Sequence, residues 1–262
     1  MLIVMGKFIR ANNTTTGIAF VGSTSSTYSD LLTMANLVDI PDQIYGSAAD
    51  GSVTFDGSST VLSMTPASSV YTMTRDIYCY NLTLSANVRL NPAGYRIFVQ
   101  NSLTFGSGST IGFTTGFSTA GSIQQGGATS TATTHSLGGS SASQTATAPT
   151  AATGGTDYYK QPFQAIRGYS ITGSSTTPTF LRGGAGGTAG AGGGVVMVAA
   201  RFISVSSGTG YIKAPGTAGA GGGGGGVIIV ISSAATLNSG VTTDVTGGTS
   251  CSAGTAIYSQ VA

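Results

Sequence analysis

Apolar residues in this chain fall in short runs separated by polar turns, and the runs recur. Tyr95–Gly116 (YRIFVQNSLTFGSGSTIGFTTG), Val195–Gly216 (VVMVAARFISVSSGTGYIKAPG) and Val227–Gly248 (VIIVISSAATLNSGVTTDVTGG) align without a gap, each 22 residues long. Every copy opens on an apolar run, carries a further apolar position at Phe105, Val205 or Leu237, and has glycine at its fourteenth and last places. Those glycines are Gly108, Gly208 and Gly240, then Gly116, Gly216 and Gly248. A partial copy, Leu82–Gly94, has Asn87 where the others have the inner glycine. Asparagine is among the non-glycine residues that best tolerate positive φ, so the exchange predicts a left-handed turn residue at that place. Self-similarity at a fixed period predicts stacked units, each too small to bury its own apolar face.

Elsewhere the runs read as short strands. From Ser52 onward they are SVTFDGSST, VYTMTRDIYCYNLTLS and VRLNPAGYRIFVQNSLTF, with turn signals at Asp56-Gly57, Asn91-Pro92 and Ala93-Gly94. One segment reads as a helix, Tyr28–Ile44: Ser29 or Asp30 caps it, Leu31, Leu32, Met34 and Leu37 form an apolar face, and Pro41 ends it. Four regions result: an N-terminal attachment region over 1–51, a β-repeat region over 52–116, a polar and aromatic insertion over 117–182, and a glycine-rich β-repeat region over 183–262. The first part of the insertion, Gly121–Gly155, is nearly all Ser, Thr, Ala, Gly and Gln and by itself reads as disordered.

Composition sharpens this picture. The 262 residues include 42 Gly, no Trp and no Glu, and only 7% are charged, against about 25% in ordinary domains. Poor helix formers dominate, which leaves strands and turns. The two glycine tracts, Gly183–Gly194 and Gly216–Gly226, each run straight into a β-branched strand. Their other residues favour a period of three: Ala185, Thr188 and Ala191 share one row, as do Thr217 and Ala220, while Ala189 and Ala218 break the pattern. An extended helix with three residues per turn has no internal hydrogen bonds, so packed tracts must bond sideways to their neighbours. Gly224, in the middle of the second tract, then has no room for a side chain. Strands such as VIIVI show no second amphipathic layer in the same chain, which predicts a homotrimer.

A net charge of +2 with scattered basic residues argues against nucleic acid as a partner. The N-terminal run is broken by Lys7 and is shorter than the ~18 residues of a membrane span, so neither membrane insertion nor a signal peptide is expected. Cys79 and Cys251 read as free thiols, because so low a cysteine count gives no disulfide framework. The one histidine, His135, sits in a Ser/Thr/Ala stretch and reads as an exposed loop residue. Asp56 and Asp76 are the one carboxylate pair in register for polysaccharide hydrolysis, which needs one carboxyl with a raised pKa. Each also has a structural reading: Asp56 as the turn residue of Asp-Gly, Asp76 as the partner of Arg75 or Arg89. No zinc, calcium-loop or phosphate-loop spacing occurs, so no metal or cofactor is expected, nor an enzyme. The remaining contact surface is the aromatic loop Asp157–Ile171, with Tyr158, Tyr159, Lys160, Phe163, Arg167 and Tyr169. Such aromatics either stack on sugars and fill protein pockets, or pack beneath the insertion or at a subunit interface.

The segment TRDIYCYNLTLSANVRLNPAGYRIFVQNSLTFGSGSTIG (Thr74–Gly112), with the glycine tracts and their following strands, resembles the glycine-rich fibre and adhesin proteins of tailed bacteriophages. The resemblance covers about the last two thirds of the chain. It implies an all-β stalk of short stacked repeats, solenoid-like or sandwich-like, with packed polyglycine helices and loops that touch a host receptor. Two long tracts are fewer than the adhesins have, which implies that neighbouring subunits of a trimer complete the packing. It further implies a virion protein made in the host cytoplasm. Its partners would be its own copies, other virion proteins bound through the N-terminal region, and a host glycan or outer-surface protein. Receptor-binding fibre and capsid decoration or head fibre are the two functions that fit, with a polysaccharide-degrading tailspike the third.

Overall fold

A computed structural model describes residues 44–113, 139–141 and 183–261, together with the backbone of five short strands outside those ranges. The chain divides into two compact units, Met1–Ile44 and Tyr45–Ala262.

In the first unit β1 (Phe8–Ala11), β2 (Gly17–Val21) and β3 (Leu31–Thr33) form an antiparallel sheet in that order. The helix expected over Tyr28–Ile44 is therefore corrected: Leu31–Thr33 pairs with Gly17–Ala19 as a strand. A short apolar run such as Leu31-Leu32 has no intrinsic period, and a pairing partner decides its state.

The second unit is built from coils. Its long strands are β4 (Gly51–Phe55), β6 (Ile77–Leu84), β8 (Ile97–Phe105), β12 (Val195–Val205), β14 (Val227–Ser232) and β16 (Thr255–Gln260). Its short strands are β5 (Val70–Thr72), β7 (Arg89–Asn91), β9 (Thr110–Gly112), β13 (Gly210–Lys213) and β15 (Val241–Asp244). A further pair, β10 (Ser170–Ile171) and β11 (Pro178–Thr179), is antiparallel. The long strands form one six-stranded sheet in the order β16-β14-β12-β8-β6-β4, and the short ones a five-stranded sheet in the order β15-β13-β9-β7-β5. All their pairings are parallel. The chain thus passes from one sheet to the other and back, laying each coil on the last. The segment containing β10 and β11 comes between β9 and β12 in the sequence, yet β8 and β12 pair directly.

Stacked coils bring like residues together. Ile77, Ile97, Val198, Val230 and Tyr258 lie opposite one another across five strands. Phe55, Leu84, Phe105 and Val205 form a second such column. The gap-free alignment holds for the second half of the repeat, where Ser102–Phe105 pairs with Phe202–Val205. In the first half the register is one residue further on, Ile97 opposite Val198, and a bulge between Ala200 and Phe202 absorbs the difference.

Inward residues of both sheets share one core, which includes Val196, Val198, Ile228 and Val230 of the large sheet with Leu90, Ile111 and Ile212 of the small one. The VIIVI strand therefore has its second layer within the chain and does not need a trimer to supply one. Its other face is also buried: Val227, Ile229 and Ile231, like Val195, Met197 and Ala199 beside them, have essentially no exposure. Parallel strands covered on both faces read as unbroken apolar runs. Part of that cover is local. A Cβ on Gly46 would stand 2.7 Å from Phe98 Cβ, and the buried Tyr45 donates from its hydroxyl to the Val261 carbonyl at 3.3 Å.

Candidate functional site

The carboxylates were the first candidates, and each described one has structural partners. Asp56 closes a turn: it accepts from the Ser58 amide at 2.7 Å, the Ser59 amide at 2.8 Å, the Ser59 hydroxyl at 2.6 Å and the Tyr71 hydroxyl at 3.0 Å. The Ser59 hydroxyl and amide, then the Ser58 amide, hold its pKa far below the usual carboxylate range. A general acid needs the opposite shift. Asp76 is paired with Arg96: it accepts from the Arg96 backbone amide at 2.7 Å and Nε at 2.9 Å, and forms an ion pair with Nη2, while Arg75 donates to its backbone carbonyl at 2.9 Å. The reason is the coil step, which sets the start of β8 beside the start of β6. Arg75 grips Asp50 instead, at 2.6 and 3.0 Å, and that pairing lowers the Asp50 pKa. Cys79 and Cys251 are both free. Burial pushes the Cys79 thiol up to about 12, so it stays protonated. Among the described residues, no three His, Cys, Asp or Glu side chains come together as a metal site would require. No described helix is long and apolar enough to cross a membrane.

The expected contact residues Tyr158, Tyr159, Lys160, Phe163, Arg167 and Tyr169 lie outside the described residues, as do His135 and Gly116. The other expected structural glycines fall into two groups. Gly108 and Gly208 take φ of 71° and 65°, and Asn87 takes 59°, so the asparagine does stand in for glycine in a left-handed turn. These turns stack: a Cβ on Gly108 would stand 2.5 Å from Asn87 Oδ1, and one on Gly208 would overlap Ser107 Oγ. Gly240 departs from the pattern, with no left-handed φ. Its turn is held by Asn238, whose Oδ1 accepts from the Gly240 amide at 2.9 Å.

Gly216, Gly224 and Gly248 belong to a block where backbone meets backbone. A Cβ on Gly216 would overlap the Gly223 carbonyl oxygen, one on Gly224 that of Gly139, and one on Gly248 would stand 2.5 Å from that of Thr217. The hydrogen bonds run sideways. Gly223 donates to Thr217 and accepts from Gly248, at 3.2 and 2.9 Å. Gly224 donates to Ala185 and accepts from Gly193, at 2.9 and 2.8 Å. Gly225 donates to Ser252 and accepts from Gly139, at 3.0 and 2.7 Å. Successive residues thus reach three different sets of neighbours, satisfying backbone groups that no strand ladder serves. The first tract folds back on itself through Gly184 to Gly193 and Gly187 to Gly190, at 2.9 and 2.7 Å. Ala189 and Ala218, the exceptions to the period of three, sit at exposed turns. Partners for the tracts come from the same chain, as Gly139–Ser141 and Val245–Gly254, which the two-tract pattern did not reveal.

Sequence reasoning missed a feature on the outward face of the six-stranded sheet. At one level, three strands break register: β4 between Gly51 and Val53, β6 between Cys79 and Asn81, and β12 between Ala200 and Phe202. β8 spends Gln100 and Asn101 where β6 has Tyr80 and β12 has Arg201. The bulges turn neighbouring residues outward, among them Tyr80 and Phe202, 47% and 48% exposed. A polar row lies beside Tyr80: Asn101 Nδ2 donates to Asn81 Oδ1 at 2.8 Å, and Asn81 Nδ2 to Ser52 Oγ at 3.1 Å. The Arg201 guanidinium stands 5.6 Å from the centre of the Phe202 ring. The sequence signal was Cys79–Leu82, two core residues three apart in a strand, a spacing that requires a bulge. No family model matches the chain, and no curated protein or solved structure was found similar to it.

Proposed function

We propose that the chain is a virion fibre protein of a tailed bacteriophage with a role in binding the host surface. The observation that carries this reading is the glycine block, where Gly223, Gly224 and Gly225 direct their backbone bonds to three different sets of neighbours. A threefold extended helix places successive residues a third of a turn apart, which gives that pattern. In this reading the tracts are packed polyglycine-type helices, which with the Thr74–Gly112 segment carry the resemblance to phage adhesins. Backbone bonding then builds a rigid body with almost no charge, and the insertion carries the contact loop.

The N-terminal unit, separate from the coil stack, attaches the protein to other virion proteins. Self-association as a homotrimer belongs to this proposal, and native mass spectrometry reads it directly. Hydrolysis of polysaccharide by Asp56 and Asp76 is disfavoured, since the turn and the Arg96 pair already occupy them.

The test is particle adsorption with the triple variant Tyr158→Ala, Tyr159→Ala, Phe163→Ala. Loss of adsorption by particles that still carry the protein is the expected outcome. Normal adsorption by fully decorated mutant particles would overturn the receptor role and favour capsid decoration, as would a failure to incorporate the protein.

A further inference from the structure

We propose that the outward row formed by Tyr80, Asn81, Asn101 and Phe202 is a binding surface for a neutral oligosaccharide. Tyr80 and Phe202 are the large apolar side chains left exposed among the described residues, and both stand at the bulged level of one sheet. They lie on β6 and β12 with β8 between them, two ladder steps or about 9.6 Å apart across the sheet and one residue apart along it, since Phe202 is level with Asn81. That is close to the span of two linked sugar rings. An oligosaccharide lying across the strands, along the stacking direction, meets one aromatic ring with each end.

The ground is polar and already ordered, with Asn101 on β8 between the rings, Asn81 next to Tyr80 on β6, and Ser52 beyond it on β4. A primary amide has two N–H donors and a carbonyl oxygen with two lone pairs. The row from Asn101 to Asn81 to Ser52 uses one N–H of each amide and one lone pair of Asn81. Each amide keeps further capacity, and its plane is fixed before a ligand arrives. Hydroxyl groups donate and accept at once, so a polyol matches amides held in this way. Aromatic faces carry the negative part of the ring quadrupole and attract the C–H groups of a pyranose face. Arg201 rests against Phe202 and steadies it.

A second copy of this chain is the other candidate occupant. Two half-exposed rings supply far less than the roughly 800 Å² per partner that a stable protein interface buries. The mixture of rings and amides at close quarters suits a sugar better.

Naming a host glycan as the source rests on the host-surface reading, but these are other residues than those of the Tyr158–Tyr169 loop. The experiment is binding of the full-length chain to an array of defined neutral gluco-, galacto-, manno- and xylo-oligosaccharides, followed by titration of the best binder. Tyr80→Ala and Phe202→Ala should each weaken binding by about tenfold, since each removes one stacking platform. Tyr80→Phe should retain it, because the ring and not the hydroxyl does the stacking, and it keeps the bulge filled should Tyr80→Ala disturb the fold. The Tyr158→Ala, Tyr159→Ala, Phe163→Ala variant should bind the array as the parent does. Absence of binding to any array member at millimolar concentration would overturn the proposal. So would undiminished binding by a well-folded Tyr80→Ala, Phe202→Ala double variant, or loss in that variant of a self-association that the parent shows. If the loop variant adsorbs normally while the double variant loses sugar binding, the loop assignment fails and this surface stands.

Discussion

Asp56 gathers four hydrogen bonds into one exposed turn, and its consequence is a pH dependence. Its folded pKa lies below the ordinary value near 3.9, as does that of Asp50, held by Arg75. A depressed carboxylate adds stability that is present above the unfolded pKa and is lost as pH falls through the folded one. The melting temperature should therefore be level near neutrality and fall as pH drops below about 4, with Asp56→Asn showing a shallower fall. A thermal melt series from pH 6 downward reads it. Gly108 gives a second prediction at this scale. Gly108→Ala places a Cβ in a left-handed residue and against Asn87 Oδ1, and should cost about 1–2 kcal/mol in urea unfolding. Gly240→Ala should cost less, since its φ is ordinary and the nearest contact, Val205 Cγ2, is at 3.0 Å. Asn87 was legible in the sequence because it replaces glycine at a repeat position. The exception at Gly240 was not, because the side chain of Asn238 holds that turn and the repeat pattern does not show it.

At the scale of elements, the two glycine tracts are read correctly as packed segments for a physical reason: each leads into a β-branched strand that must be fixed in place. The partners were not legible. Gly139–Ser141 lies in a stretch without apolar periodicity, yet it accepts from Ala185 and Ser252 and donates to Gly225. Backbone-to-backbone bonding leaves no side-chain pattern to read. The bulged row was hidden for a related reason, since a bulge is defined by the partner strand and Tyr80 alone looks like one aromatic among several. The tract yields a clean test. Gly224→Val would drive a branched side chain into the Gly139 carbonyl and should destabilise the fold by about 1–3 kcal/mol or more. Ala218→Ser, at the exposed turn of the same tract, should leave the melting temperature unchanged. Equal melting temperatures for the two variants would mean that the tract is a linker.

For the whole molecule, the repeat predicted stacking and the stack is there, but its second layer was overlooked because strands such as Thr110–Gly112 and Gly210–Lys213 are only 3 and 4 residues long. Runs that short carry no period of their own. Their effect is large all the same, since they close a shared core and make each coil depend on the coils beside it. Stability in such a stack is close to a sum of coil terms and nearest-neighbour terms. Coils at β6, β8, β12 and β14 have a neighbour on each side, whereas β4 and β16 are sheet edges with one. Among the described residues, β16 also has no companion strand in the five-stranded sheet. Hydrogen exchange should therefore be graded along the stack, slowest in β8 and β12 and fastest in β4 and β16. The same gradient reports on assembly. If copies join through the ends of the stack, the amides of β4 and β16 should slow as protein concentration rises while β8 and β12 stay as they are. If copies join side by side, the gradient should be independent of concentration. Uniform protection across all six long strands at low concentration would contradict a nearest-neighbour stack and require the unit to open only as a whole.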